Sequence, residues 1–165
     1  MADPLEVITR IITEHHTSRE HIKLVGDSVN DIEAFFTLQR VQSSWTQSSI
    51  TSLMEQKNRM QQAINFLDEG LKNHFAFEEK VMPSLFGELL TKAILHEHLE
   101  ISGQIESAKI TLASMKLEEV EQRDILIKKS QIQGILNQLC QKVEQHAQHE
   151  EIILNMIKRA LEEGA

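Results

Sequence analysis

Hydrophobic residues recur every three or four positions along four long stretches of the chain, at 8–36, 60–85, 94–112 and 132–157. This spacing is typical of amphipathic helices that pack their apolar faces together. The inward-facing positions of each stretch form a stripe along one side of its helix, and polar residues interrupt all four of these apolar stripes. The polar residues are His15, His74, Glu78, His98, His146 and Glu150. An imidazole or a carboxylate at such a position loses its water, which is costly unless the group finds a partner.

The pattern predicts an all-α chain folded as an up-down-up-down four-helix bundle. We expect helices at 4–40, 50–85 and 88–116, and a fourth that ends near 163. A serine-rich stretch at 41–49, the pair Pro83 and Gly87, and a charged segment at 117–123 mark the connections. The expected domain organisation is a single domain that covers residues 1–165.

Composition narrows the classes of partner and the compartment. The net charge of −8 argues against nucleic acid and anionic membranes, since both require a basic surface. The first residues lack the pattern of a signal peptide, and no stretch approaches the ~18 apolar residues of a membrane helix. Cys140 is the only cysteine, so an intrachain disulfide is impossible and we expect a cytoplasmic protein with an inert thiol.

A weak internal repeat relates the second and fourth stripes. When the two are aligned, His74 falls on His146 and Glu78 falls on Glu150, so each stripe carries H-x-x-x-E on its inner face. Residues four apart lie above one another on a helix, so both side chains reach the same space. The first and third stripes contribute one inward histidine each, and both are preceded by glutamate, in the pairs Glu14-His15 and Glu97-His98.

The six polar residues together predict a metal centre. A single histidine on an apolar stripe is more often an ordinary core residue, but two H-x-x-x-E pairs in phase with two more histidines are hard to obtain by chance. Four imidazoles and two carboxylates without a thiolate disfavour structural zinc and iron–sulfur clusters. Helical bundles with such ligands hold two iron or two manganese ions. We therefore predict iron, with manganese and zinc as alternatives.

The remaining histidines receive separate interpretations. His16 lies about 100° around the helix from His15 and is the alternative ligand on the first helix. His21 is interpreted as a boundary residue that could supplement His15. His96 is predicted to be exposed, and His149 to lie at most beside the ligands.

Glu79 and Glu151 follow the two inward glutamates, and rotation along the helix turns them away from the stripe. They are expected either to accept an N–H from a ligand histidine or to face water.

These motifs resemble those of the hemerythrin-like, or HHE cation-binding, family. The resemblance rests on Glu14-His15, His74-Phe75-Ala76-Phe77-Glu78-Glu79, Glu97-His98 and His146-Ala147-Gln148-His149-Glu150-Glu151. It implies a four-helix bundle with an oxo- or hydroxo-bridged non-haem di-iron centre. It would make the four inward histidines terminal ligands, and Glu78 and Glu150 bridging carboxylates.

The chain departs from the oxygen-carrying hemerythrins at two positions. Those proteins carry H-x-x-x-H on the third helix, whereas here the residue four positions after His98 is Ser102. They carry H-x-x-x-x-D on the fourth, whereas here the inward carboxylate is Glu150 and Glu151 has the longer spacing. The pattern is closer to microbial HHE proteins associated with iron handling and with responses to oxygen, nitric oxide or peroxide.

We therefore predict a protein that binds, senses or reduces a small diatomic or peroxide ligand, together with an unidentified protein redox partner. A small-ligand binding protein is favoured over a dedicated enzyme. The alternative function is an iron- or oxygen-dependent interaction or iron-storage module without catalysis.

Overall fold

The computed structural model describes residues 3–39, 46–116 and 122–164. They form three helices, α1 (Pro4–Gln39), α2 (Gln47–Ala113) and α3 (Gln122–Glu163), and contain no strand. The all-α prediction is therefore confirmed for the described part of the chain. None of these helices offers a stretch apolar enough to cross a lipid bilayer.

The described starts of α1 and α2 both carry N-cap side chains. The Asp3 carboxylate accepts the backbone N–H of Leu5 (3.1 Å), as expected at the start of α1. The Thr46 hydroxyl accepts the N–H of Ser49 (3.1 Å), and the Ser49 hydroxyl accepts the N–H of Thr46 (3.4 Å). This capping box starts α2 at Gln47, within the stretch predicted as a loop. The rest of that loop, 41–45, the predicted last residue of the first helix, Arg40, and most of the predicted turn, 117–121, lie outside the described residues.

A break at Gly87 divides α2 into a first arm, 47–86, and a second arm, 88–113. Gly87 has φ 76° and ψ 173° and is the only described residue with positive φ. Glycine adopts this conformation without the steric penalty of a Cβ atom. The predicted second and third helices are counted here as one helix, α2, because helical geometry resumes directly after Gly87 instead of after a loop. The four-helix count is therefore not confirmed.

The two arms of α2 lie antiparallel to each other. Three contacts join them in order toward Gly87: Lys57 Nζ to the carbonyl oxygen of Met115 (2.7 Å), Asp68 to Lys109, and Glu79 Oε1 to His98 Nδ1 (3.2 Å). Because residue numbers rise on one arm as they fall on the other, the chain turns back on itself at Gly87.

α1 and α3 complete the packing and are antiparallel as well. On α1, Arg19 contacts Glu144 of α3 (3.0 Å), and Glu33, further along α1, contacts Lys129, earlier on α3 (2.6 Å). His21 of α1 lies against Gly70 in the first arm of α2. The helices thus surround one interior.

The six polar stripe residues lie between two apolar clusters, and each is at most 4% exposed. The larger cluster fills the end away from Gly87, and the smaller one is formed by Val7, Ile8, Ile11 and Leu154. The predicted stripes are buried along most of their length. Near Gly87 the prediction was off by one residue, because Met82 and Leu154 are fully buried whereas Val81 and Ile153 are only half-buried.

Candidate metal centre

The six predicted residues come together in two overlapping groups of four. One group contains His15, His74, Glu78 and Glu150, and the other contains His98, His146, Glu78 and Glu150. Within each group, one ligand atom per residue lies within 4.8 Å of all the others. The two glutamates therefore belong to both groups, and each group has its own pair of histidines.

Glu78 and Glu150 lie among the Nε2 atoms of the four histidines. Glu78 Oε1 is 2.6 Å from His74 Nε2 and 3.5 Å from His15 Nε2. Its other oxygen, Oε2, is 2.9 Å from His98 Nε2 and 3.9 Å from His146 Nε2. Each oxygen of Glu78 thus faces a different pair of histidines.

Glu150 makes the second connection between the pairs. Its Oε1 is 3.3 Å from His15 Nε2 and 2.8 Å from His146 Nε2. One glutamate from α2 and one from α3 therefore bridge the same two halves of the site.

Several of these inner atoms are buried without a hydrogen-bond partner among the described residues. They are His74 Nε2, His98 Nε2, His146 Nε2, both carboxylate oxygens of Glu78, and Glu150 Oε2. Nearly all buried polar atoms in proteins are satisfied, so a cluster of unsatisfied nitrogen and oxygen atoms needs an explanation. Cations that bind imidazole and carboxylate donors fit this set.

The buried charges perturb one another strongly. Burial lowers the pKa of His15 and of His146, but the contacts with Glu150 and Glu78 outweigh burial and raise these values to about 9 and about 10. Burial raises the pKa of Glu78, but the surrounding histidines, His146 first, hold it well below its ordinary value. Protons on His15 and His146 therefore balance the carboxylates in this cluster, and a metal ion that binds there would displace them.

In each of the four inward histidines, the Nδ1 atom points away from the centre and contacts a carboxylate of a second layer. The Nδ1 contacts are His15 to Glu151 (3.2 Å), His74 to Glu14 (3.3 Å), His98 to Glu79 (3.2 Å) and His146 to Glu97 (2.6 Å). Glu79 and Glu151 were expected either to contact one of the inward histidines or to face water, and in the structure each contacts a histidine. The roles of Glu14 and Glu97 were missed, although the pairs Glu14-His15 and Glu97-His98 had been noticed.

Three of these outer carboxylates also bind a surface cation or histidine. Arg10 donates to Glu14 (3.2 Å), and Arg19 donates two hydrogen bonds to Glu151 (2.7 and 2.9 Å). The hydrogen bonds from Arg19 lower the pKa of Glu151. His149, predicted to lie at most beside the ligands, contacts Glu97 (2.9 Å) and is 60% exposed. Arg19 was not singled out from the sequence, although its position one turn after His15 placed it near the site.

The two halves of the site are lined differently. The ring of Phe75 stacks on His98 with centroids 3.8 Å apart and contacts His146 edge-on at 5.5 Å. In the internal repeat Phe75 corresponds to Ala147, which is buried. Ala147 lies one turn before Glu151, so the two residues share a helix face. The Glu151 carboxylate contacts His15, so this face is directed at the half of the site that contains His15 and His74.

The other candidates lie away from the centre. His16 and His96 are exposed, and neither is part of the two groups of possible ligands. His21 is partly buried against Gly70 and stacks on Phe66 at 6.5 Å. Burial raises the pKa of the Cys140 thiol to about 11, in agreement with the expected inert cysteine.

A comparison with protein families agrees with this arrangement. Residues 6–128 match the model of the hemerythrin HHE cation-binding domain. The chain belongs to this family. Of the six inward residues, the match contains His15, His74, Glu78 and His98.

The match to the hemerythrin HHE domain ends before His146 and Glu150. The fold of α3 supplies these two residues, and they complete the same cluster. Comparisons with curated proteins and with solved structures find no match. The family therefore supports a cation-binding domain with a buried histidine and glutamate cluster.

Proposed function

We propose that this hemerythrin-like protein holds two metal ions in a carboxylate-bridged centre within a four-helix bundle, in which the two arms of α2 are the second and third helices. One observation carries the proposal: the two groups of four ligands share Glu78 and Glu150 and differ in their histidines. His15 and His74 would bind one ion, and His98 and His146 the other.

Iron is the metal that we propose, with manganese and zinc as alternatives. Imidazole and carboxylate donors suit iron in bundles of this type, and structural zinc sites use fewer ligands around a single ion. The site contains no thiolate, because Cys140 is directed at the carbonyl oxygen of Ile22 (4.0 Å). A bound iron pair would supply redox chemistry and open coordination positions.

The ligand count supports a function with a small exogenous ligand. Two histidines and the two shared glutamates would offer each ion four protein residues as donors. Iron that is held by only four protein residues would keep room for water or a small molecule. We therefore propose that the protein binds, senses or reduces oxygen, nitric oxide or peroxide.

The unequal lining of the two halves supports a location for that ligand. Phe75 covers the half built from His98 and His146, whereas the corresponding residue of the repeat is the small Ala147, one turn before the Glu151 that contacts His15. We propose that the exogenous ligand binds at the ion held by His15 and His74.

The second candidate function is a module in which iron or oxygen controls folding and partner binding, or stores iron, without catalysis. The burial of all six polar residues favours it as well, because their pairing in the core depends on the metal. We favour a small-ligand binding protein over a dedicated enzyme. For the setting we propose the cytoplasm and an unidentified protein redox partner, with neither nucleic acid nor membrane as a partner in view of the net charge of −8.

Metal analysis of the Glu78→Gln variant tests the proposed centre. Glutamine offers one amide oxygen and no charge, so it cannot bridge two cations as a carboxylate does. After anaerobic loading with Fe²⁺ we expect about two ions per wild-type chain and the loss of most metal in Glu78→Gln. Glu69→Gln, an exposed position on the same arm of α2, should bind like the wild type. Full metal content in Glu78→Gln would disprove the bridging role.

A further inference from the structure

The four outer carboxylates form a closed cycle around the molecule. Glu14 of α1 contacts His74 on the first arm of α2, and Glu79 of that arm contacts His98 on the second arm. Glu97 of the second arm contacts His146 on α3. Glu151 of α3 contacts His15 on α1 and so closes the cycle.

We propose that Glu14, Glu79, Glu97 and Glu151 are positioning residues that act as one ring, each orienting the metal-binding histidine of the next helical segment. The inference rests on the proposed metal centre and extends it to residues that are not themselves ligands. In this arrangement each helical segment supplies a histidine to the centre and a carboxylate to its neighbour.

The direction of the cycle follows from local sequence and helix geometry. In α1 and the second arm the carboxylate precedes the inward histidine, whereas in the first arm and α3 it follows the inward glutamate. One residue turns a helix by about 100°. Since neighbouring segments are antiparallel, one step backward on one segment and one step forward on the next rotate in the same sense. The Glu-His and Glu-Glu pairs therefore all turn their outer carboxylate toward the same side.

The chemistry of the contact fixes both the tautomer and the orientation of each ring. An ionised carboxylate only accepts hydrogen bonds, so the proton stays on Nδ1 and the lone pair of Nε2 is free for a metal ion. The Nε2 atoms of all four histidines do lie beside Glu78 or Glu150. The negative charge of the ring also increases the basicity of the imidazoles toward the metal.

Glu79 is the member best suited to a test. Its side chain is 47% exposed, so its replacement removes little packing. Its one hydrogen bond among the described residues is to His98, whereas the other three carboxylates also contact Arg10, Arg19 or His149. Glu69→Ala is the matched control, since Glu69 is an exposed glutamate on the same arm.

The experiment measures Zn²⁺ affinity by chelator competition and records the imidazole Nδ1–H resonances of the Zn²⁺-loaded full chain by NMR. Zinc serves as a diamagnetic probe. We expect Glu79→Ala to weaken Zn²⁺ binding by about 10- to 100-fold and to lose the protected Nδ1–H signal of His98. Glu79→Gln should lose less affinity and keep the signal, because its amide oxygen still accepts the proton. Glu69→Ala should match the wild type in both.

Wild-type affinity and a protected His98 signal in Glu79→Ala would overturn the ring. If Glu79→Ala does not fold, Glu14→Ala, read at the Nδ1–H signal of His74, repeats the test at a second member of the ring. A wild-type chain that binds no Zn²⁺, Fe²⁺ or Mn²⁺ would instead overturn the metal centre, and the ring with it. If the wild-type chain binds metal normally and Glu79→Ala behaves like it, only the positioning role of the ring is disproved and the metal centre stands.

Discussion

Glu78 connects the two halves of the candidate centre at the scale of single atoms. Its two oxygens face different pairs of histidines, and neither has a hydrogen-bond partner among the described residues. Leaving a buried carboxylate in this state is costly unless a cation compensates it. The same cost applies to Glu150, whose Oε2 is buried without a hydrogen-bond partner among the described residues.

The difference between Phe75 and Ala147 yields a prediction about the exogenous ligand. Ala147→Phe fills the half beside His15 and His74, so azide binding to the iron-loaded protein should weaken by at least about tenfold, which is ~1.4 kcal/mol. Metal content should stay at two ions per chain. The measurement is an azide titration followed by absorbance, with iron quantified in the same sample.

The matched variant is Phe75→Ala, which removes the ring from the half built by His98 and His146. It should still bind azide at least as well as the wild type. Equal azide affinity in Ala147→Phe and the wild type would show that the ligand does not enter beside Ala147.

At the scale of helices, the break at Gly87 allows α2 to contribute both of its arms to the site. The first arm carries His74 and Glu78, and the second carries His98. The positive φ at Gly87 belongs to the break at which the second arm turns back along the first.

Gly87→Ala should therefore lower the free energy of unfolding by about 1–3 kcal/mol, because positive φ combined with ψ near 180° is a conformation that essentially only glycine adopts. There is open space around a Cβ at this position, so the cost comes from the backbone alone. Gly103→Ala is the control, because it lies inside the second arm with similar open space and should gain up to about 1 kcal/mol. Urea unfolding of both variants decides the matter, and equal stability of Gly87→Ala and the wild type would contradict the strain argument.

Periodicity was sufficient to predict the buried faces and all six inward residues, because burial of a stripe depends on helix geometry alone. At the end of the bundle near Gly87 the prediction was wrong by one residue. Val81 and Ile153 were predicted to be in the core, but Met82 and Leu154 are the buried residues there. Met82 precedes the break and Leu154 lies on α3, so the shift does not come from Gly87. It comes from the 3.6-residue period of the α-helix, which drifts away from the 3.5-residue spacing on which the stripes were based.

The outer carboxylates were predictable only in part. Rotation along the helix indicated that Glu79 and Glu151 leave the stripe, but their choice between solvent and a histidine depends on the neighbouring segment. The contacts of Glu14 and Glu97 depend likewise on the antiparallel packing of whole helices. Sequence spacing within one helix carries no information about such a contact.

At the scale of the whole molecule, the six polar residues make stability depend on the metal. They occupy the core between two apolar clusters, so the metal-free chain has to keep charged groups there. A ligand that binds only the folded state stabilises it, by about 4 kcal/mol at a concentration a thousand times its dissociation constant.

Removal of the metal should accordingly lower the melting temperature and increase hydrogen exchange in the middle of all three helices. A variant with the six residues changed to leucine and isoleucine should be more stable than the metal-free wild type, because it buries no charge. Calorimetry of the loaded, metal-free and six-residue forms measures this. Identical melting of the loaded and metal-free wild type would show that the core pairs these groups without a cation.

In the proposed centre, one chain would hold two iron ions coupled through Glu78 and Glu150. Iron quantitation combined with EPR and Mössbauer spectra of the oxidised protein tests it most directly, because ferric ions that share bridging ligands couple their spins. We predict about two irons per chain, no EPR signal from isolated ferric iron, and a Mössbauer spectrum of a coupled diferric pair. One iron per chain, or two irons with the spectra of independent ferric ions, would contradict the account.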